Sequence, residues 1–102
     1  MGARRPGMLP SWVATVHEMA AEPFCKVRAF CGKCKLFRDV DLQALAAKVG
    51  PDYSLIDRRS PCRLTPGCDG WVKFMYLFGV YRNLWSYERE EVWMERDKRA
   101  AE

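Results

Sequence analysis

Four of the five cysteines in this chain fall into two close groups, Cys31-Gly32-Lys33-Cys34 and Cys62-Arg63-Leu64-Thr65-Pro66-Gly67-Cys68, with 27 residues between them. Two cysteine pairs, each on a tight turn, are the sequence form of a tetrahedral thiolate zinc site in which the chain closes around one ion. Unligated thiols and disulfides are the competing readings of the same residues. A redox pair at Cys31 and Cys34 is a further one, although their flanks lack the strand-to-helix context of a thioredoxin motif. Gly32 suits the first turn, because a glycine in the left-handed region lets backbone amides point at the sulfurs, and Asp69-Gly70 offers the same freedom after Cys68. Five residues separate Cys62 from Cys68, more than the two to four usual in a zinc knuckle. Thr65-Pro66-Gly67 has the chemistry of a tight turn that would absorb the extra length as a bulge.

Cys25 stands as far from Cys31 as Cys62 does from Cys68, so it is a substitute ligand in principle; a buried thiol acting as a small hydrophobe is the preferred reading. His17, the single histidine, is read as solvent-facing or hydrogen-bonded, since the four cysteines already complete a site. An all-cysteine set leaves no coordination position for water or substrate, which makes the expected zinc structural. Its binding energy would supply stability that a small core lacks. Release of zinc on thiol oxidation is a less favoured reading of the same cluster. With one histidine, no glycine-rich phosphate loop and no Ser/His/Asp set, the chain lacks the parts of most hydrolases and transferases, and a non-enzymatic protein is expected. Asp52, Asp57 and Asp69 lie in turn-like segments, where capping and turn formation account for them.

The 102 residues, 49% hydrophobic and 29% charged, allow one small domain that buries roughly 60–65% of its unfolded surface. The net charge of +4 is unevenly spread. Residues 1–85 hold 13 Lys/Arg against 7 Asp/Glu, and residues 86–102 hold 4 against 6, so a basic cysteine-bearing module precedes an acidic tail. Lys33, Lys35, Arg58, Arg59 and Arg63 flank the two cysteine groups, with Lys26, Arg28 and Arg38 nearby. Gathered around one ion they would form a nucleic-acid footprint, with Trp71 and Tyr76 as stacking platforms. Solvated charges partly paired with Asp39, Asp41, Asp52 and Asp57 explain the same residues. The aromatic stretch Trp71 to Trp85 reads most simply as core, while Trp85 and Trp93 could serve a protein partner or a homo-oligomer through the C-terminal helix.

No apolar run approaches the roughly 20 residues that span a bilayer. Arg4 and Arg5 are followed by Pro6, Pro10, His17 and Glu18 instead of a signal-peptide core, and Pro6 stands where myristoylation needs Ser or Thr. A cytoplasmic, reducing location is therefore expected, which favours metal over disulfide.

The elements that must position the cysteines can be read in part. Residues 1–10 read as a loose basic arm, residues 11–85 as the zinc-bearing domain and residues 86–102 as a charged helix. Ser11 is a candidate cap for a helix with Trp12, Val16, Met19 and Ala20 on one face, stopped by Pro23. Lys26 to Phe30 alternates as a half-buried strand into Cys31, with a return strand at Lys35 to Arg38. Asp39 or Asp41 caps a helix over about 41–49, ended by Gly50-Pro51. Residues 52–61 read as a loop or short strand leading into Cys62. From Trp71 the chain alternates, placing Val72, Phe74, Tyr76, Phe78 and Val80 on one face of a long strand or a hairpin bent near Gly79. Ser86 caps the last helix, whose main apolar contacts are Val92 and Trp93.

The stretch from Cys31 to Trp85, with Cys-Gly-Lys-Cys followed by "ALAAKVGPDYSLIDRRSPCRLTPGCDGW", resembles a group of small uncharacterised bacterial proteins with a zinc-ribbon-like core. The resemblance implies Cys31, Cys34, Cys62 and Cys68 as the ligands and carries no activity with it. The resulting expectation is an α+β fold, a small zinc-ribbon-like β-sheet with an inserted helix between the cysteine pairs and short terminal helices.

Overall fold

A computed structural model describes residues 9–101, so the expected arm over 1–10 lies almost wholly outside the described residues. The fold is α+β: a five-stranded antiparallel sheet with three α-helices. Strand β1 (Val27–Cys31) lies between β2 (Phe37–Asp39) and the long β4 (Trp71–Phe78). The other edge of β4 is shared, with β3 (Arg59–Pro61) on Trp71 to Lys73 and β5 (Val80–Asn83) on Met75 to Phe78. Gly79, at φ 80°, bends β4 into β5, a conformation glycine adopts without steric cost. Because β1 and β4 run antiparallel, Cys31 at the end of β1 pairs with Val72 at the start of β4. The β1–β2 and β3–β4 loops, which carry the cysteines, therefore open at the same end of the sheet.

The predicted alternation over 71–80 holds where it meets the core. Val72 and Tyr76 are buried and Phe74 packs against both apolar clusters, whereas Phe78 and Val80, at the hairpin tip, are exposed. Helices α1 (Val16–Ala21) and α2 (Leu42–Ala46) cover this face, with Val16, Met19 and Leu42 meeting Val27 and Tyr76. The predicted N-terminal helix is split. Ser11–Val13 forms a 3-10 turn, and α1 starts afresh with Thr15, whose side chain accepts the Glu18 N–H at 3.1 Å. Thr15-Val-His-Glu18 has the sequence of a capping box, a stronger start signal than Ser11, and the Glu18 carboxylate accepts from the Thr15 hydroxyl at 3.1 Å. Asp41, not Asp39, caps α2 by accepting the Ala44 N–H. That helix is shorter than the 41–49 expected, and its end is tied to α1 through a His17 Nε2 hydrogen bond to the Val49 carbonyl.

Ser86 caps α3 (Tyr87–Ala101) by accepting the Arg89 N–H, as its position before the charged run predicts. Asp57, left-handed at φ 56°, accepts the Ser86 N–H at 2.7 Å and fixes where α3 leaves the sheet. Arg59 then anchors the helix. Its guanidinium makes two hydrogen bonds to Asp97 at 3.0 and 3.1 Å, and stacks 4.1 Å from the Trp71 ring and 5.3 Å from Trp93. Lys73 adds an ion pair to Glu90 at 3.6 Å. No helix among the described residues is long and apolar enough to cross a membrane.

The Arg59–Asp97 pair predicts the cost of undocking α3. Asp97→Ala keeps helix propensity but leaves a largely buried guanidinium unpaired between two indoles. Thermal unfolding should report a loss of about 1–2 kcal/mol, and a change within about 0.5 kcal/mol, the usual range of an ordinary surface substitution, would remove the pair as the anchor.

Candidate metal centre

The first cysteine loop is a tight reversal. The Lys35 N–H bonds the Cys31 carbonyl and the Cys31 N–H bonds the Leu36 carbonyl, both at 2.9 Å. The left-handed residue is Lys35, at φ 63°, and not Gly32, which has no positive φ. The correction has a simple cause: the chain must turn after Cys34 to rejoin β2, so the strained backbone falls one residue beyond the pair. In the second loop the expected turn is present. Gly67 lies at φ 82° and the Cys68 N–H bonds the Thr65 carbonyl at 3.0 Å, so Pro66 and Gly67 occupy the positions a type II turn reserves for them. Gly70 serves for space instead of handedness. A Cβ there would lie 2.8 Å from the Lys33 Cβ and 3.0 Å from the Cys31 Sγ.

These two loops bring the four predicted sulfurs together. Cys31 and Cys68 Sγ lie 3.8 Å apart, as do Cys34 and Cys62, and all four lie within 4.8 Å of one another. Metal–sulfur bonds of 2.3 Å directed to a tetrahedron require S···S edges of about 3.8 Å. A disulfide would bring two sulfurs to about 2.05 Å, so the geometry is that of a metal cage. Backbone amides aim at it: Cys34 N–H at Cys31 Sγ (3.5 Å), Leu64 N–H at Cys62 Sγ and Gly70 N–H at Cys68 Sγ (both 3.4 Å). Such donors stabilise thiolate charge. Cys31 and Cys62 are buried and Cys34 and Cys68 half-buried, so the cage sits on the sheet end with Val72 as its floor.

The thiols do not ionise alike. The Thr65 hydroxyl, helped by the Leu36 N–H, holds Cys34 down to about 6. At Cys68 the Gly70 N–H favours the thiolate, but desolvation and the other three sulfurs push the thiol up to about 11. Four anions cannot share this volume without a cation, and a bound metal ion provides one. Cys25 is not part of the cage; it packs against the main core, and burial, then Glu22, raises its thiol. Its role is the apolar one.

The other predicted site residues are dispersed. Lys33 pairs with Asp69 across the two loops, and Arg59 is consumed by Asp97. Arg58 stacks 4.1 Å from the Tyr53 ring and donates from Nε to the Ser54 carbonyl. Lys35 and Arg63 are exposed and form no ion pair among the described residues. The acidic partners anticipated for this set, Asp39, Asp41, Asp52 and Asp57, form none of the ion pairs; Asp41 and Asp57 instead accept backbone N–H groups. Tyr76, expected as a stacking platform, is 3% exposed within the core, and Trp71, 38% exposed, has the Arg59 guanidinium over its ring. Trp93 is buried, and half-buried Trp85 donates its Nε1–H to Glu90 at 2.8 Å. Both tryptophans face the body of the protein more than a partner. Arg59 and Asp97 as a docking pair escaped sequence reasoning, because 38 positions separate them.

No protein family, curated protein or solved structure matches this chain. The functional reading therefore stands on the residues and their geometry.

Two outcomes follow from the cage. Gly70→Ala should weaken metal binding at least about fivefold, the effect of roughly 1–3 kcal/mol of overpacking, as read by competition with a chromophoric chelator; unchanged affinity would mean that Gly70 is not needed for close packing. Metal uptake must also expel the proton of Cys68, whose thiol stands well above neutral pH. Affinity should therefore fall as pH falls from 8 to 6, on the order of tenfold per unit for each proton displaced, and a pH-independent affinity would show that the thiolates are already formed without metal.

Proposed function

We propose that the four cysteines hold one zinc ion as a closed structural centre and that the module acts without catalysis, by binding nucleic acid. The observation that carries the first part is the pair of 3.8 Å sulfur edges within a four-thiol cage. A tetrahedral all-sulfur set suits zinc or an iron centre, and zinc is favoured where the ion's work is to hold loops and not to carry electrons. When bound, zinc supplies neutralisation of four thiolates and a cross-link between two loops. The chain's own residues supply the amide donors and the close approach at Gly70. A closed donor set offers substrate no open position, which supports a non-enzymatic role. Unpaired thiols at this density suit a reducing compartment such as the cytoplasm.

Support for nucleic acid comes from the basic balance of residues 1–85 and from Lys35 and Arg63, exposed on the loops that hold the metal. Lys33 and Arg59, both paired to carboxylates, contribute less field than the sequence suggests. A protein partner on α3 is the second reading, and what favours it is the exposure of Tyr87, Val92 and Met94 at 61%, 40% and 62%.

Metal analysis of the purified chain should find one zinc per molecule, and Cys62→Ser should lose both the metal and the cooperative thermal transition. Binding to a generic oligonucleotide should weaken linearly in log K against log salt, with about 0.7–0.9 of slope per phosphate contact. Iron or no metal would overturn the zinc assignment. No binding at low salt would overturn the nucleic-acid role while leaving the structural centre intact.

A further inference from the structure

The face of the sheet opposite the main core carries an arrangement that the metal centre does not use. Alternation along the strands places Arg28 and Phe30 of β1, Phe37 of β2, Met75 and Leu77 of β4, and Tyr81 of β5 on this side. The Arg28 guanidinium lies over two rings, 4.0 Å from the centre of Phe37 and 3.7 Å from that of Tyr81. Its Nε is shut off from solvent with no hydrogen-bond partner. Asp39 is its neighbour across the ladder, yet no ion pair joins them. Helix α3 anchors at Arg59, Trp71 and Lys73, towards the metal end, and Phe37 is left 55% exposed.

The surroundings are basic. The hairpin from Lys26 to Asp39 holds five cations, Lys26, Arg28, Lys33, Lys35 and Arg38, against the single acid Asp39. Of these only Lys33 is ion-paired among the described residues. A sheet face with the exposed Phe37 ring and the half-buried Tyr81 ring, a ring-stacked arginine without a counter-ion among the described residues and flanking cations is complementary to a chain of π-faces joined by phosphates. Bases of a single strand can stack on such rings, and those inside a duplex cannot reach them.

We infer that the β1–β2–β5 side of the open sheet face, through Phe37, Tyr81 and Arg28, binds single-stranded nucleic acid by base stacking. The inference rests on the nucleic-acid reading above and moves its site from the cysteine loops to the sheet. Phe37 and Tyr81 provide platforms for successive bases, Arg28 offers its terminal N–H groups to a base edge or a phosphate, and Lys26 and Lys35 follow the backbone.

The test uses the zinc-loaded full chain and two labelled probes of about 12 nucleotides, within the span of one small binding domain: a thymidine single strand and a mixed-sequence duplex. Fluorescence anisotropy should show the single strand bound more tightly than the duplex. Phe37→Ala and Tyr81→Ala should each weaken single-strand binding at least about fivefold, with Phe37→Tyr close to the parent. Zinc content and unfolding temperature control for folding. Phe37 is half-exposed, so F37A decides the matter even if Y81A is unstable. Equal binding of both probes, unchanged in F37A and Y81A, would overturn the stacking face and leave the nucleic-acid reading standing on loop charges. Binding of neither probe at low salt would overturn both. A dimer in sedimentation that F37A dissociates would assign the face to a second copy of this chain, and so overturn the inference.

Discussion

Four sulfur anions converge on one point at the end of a thin sheet, and this convergence governs how the rest of the chain is arranged. Strands β2 and β3 are three residues long, too short to hold their loops in place by ladder hydrogen bonds alone. The buried cluster beneath those loops consists of Cys31, Cys62 and Val72. Two of its three members are therefore thiols that cannot all ionise together without a counter-charge. A cation at the centre would change the sign of the arrangement, turning a crowded set of acids into a cross-link between residues 31–34 and 62–68. The closed loop spans more than a quarter of the chain, and the conformational freedom removed from the unfolded state grows with that span.

The same constraint sets the use of charge. Lys33 and Asp69 join the two cysteine loops on their outer side, while Arg59, two residues before β3 reaches Pro61, fastens α3 through Asp97. Trp71, the first residue of β4, supplies a ring to that arginine. The helix thus docks on the segments that adjoin the cysteine cage, and its position is tied to the cage at second hand. Several cations that composition would assign to a partner are already neutralised by the fold, which is why net charge overstates the field near the loops. The cations of the β1–β2 hairpin are left, and they stand on the side of the sheet away from the α3 anchor.

Much of this was legible in the residues. The ligand set follows from cysteine spacing, and the five-residue gap is resolved by Thr65-Pro66-Gly67, whose turn chemistry is local. Asp41 and Ser86 act as caps, the inserted helix lies between the cysteine pairs, and alternation from Trp71 identifies the core face. What could not be read depends on contacts distant in sequence. Pattern alone does not say that the strand after Cys34 requires Lys35 to take φ 63°, or that Gly70 is hemmed in by Lys33 and Cys31. Tyr76 and Trp93 are amphipathic, so their types fit either a core or a partner, and tertiary packing decides for the core. Thr15 was the exception, a local signal masked because Trp12 and Val16 suggested one continuous helix.

A sheet of this size with one packed face ordinarily needs its second face to be polar. Here Phe30, Met75 and Leu77 lie on the second face beside Phe37, and no helix of the described chain anchors over β2. Apolar groups left in water contribute nothing to folding, and an exposed edge strand bearing them invites unwanted pairing. Two features reduce that hazard. Arg28 lies over the Phe37 and Tyr81 rings with a cation that is only weakly hydrated. A metal ion held by the four cysteines would fix the β1–β2 turn at Cys31 and Cys34 and so hold β2 against β1 without any apolar cover on its outer side. Cohesion drawn from a metal-bridged cage at one end would free the open face from serving as core, which fits the exposure of Phe37 on a sheet that stays closed.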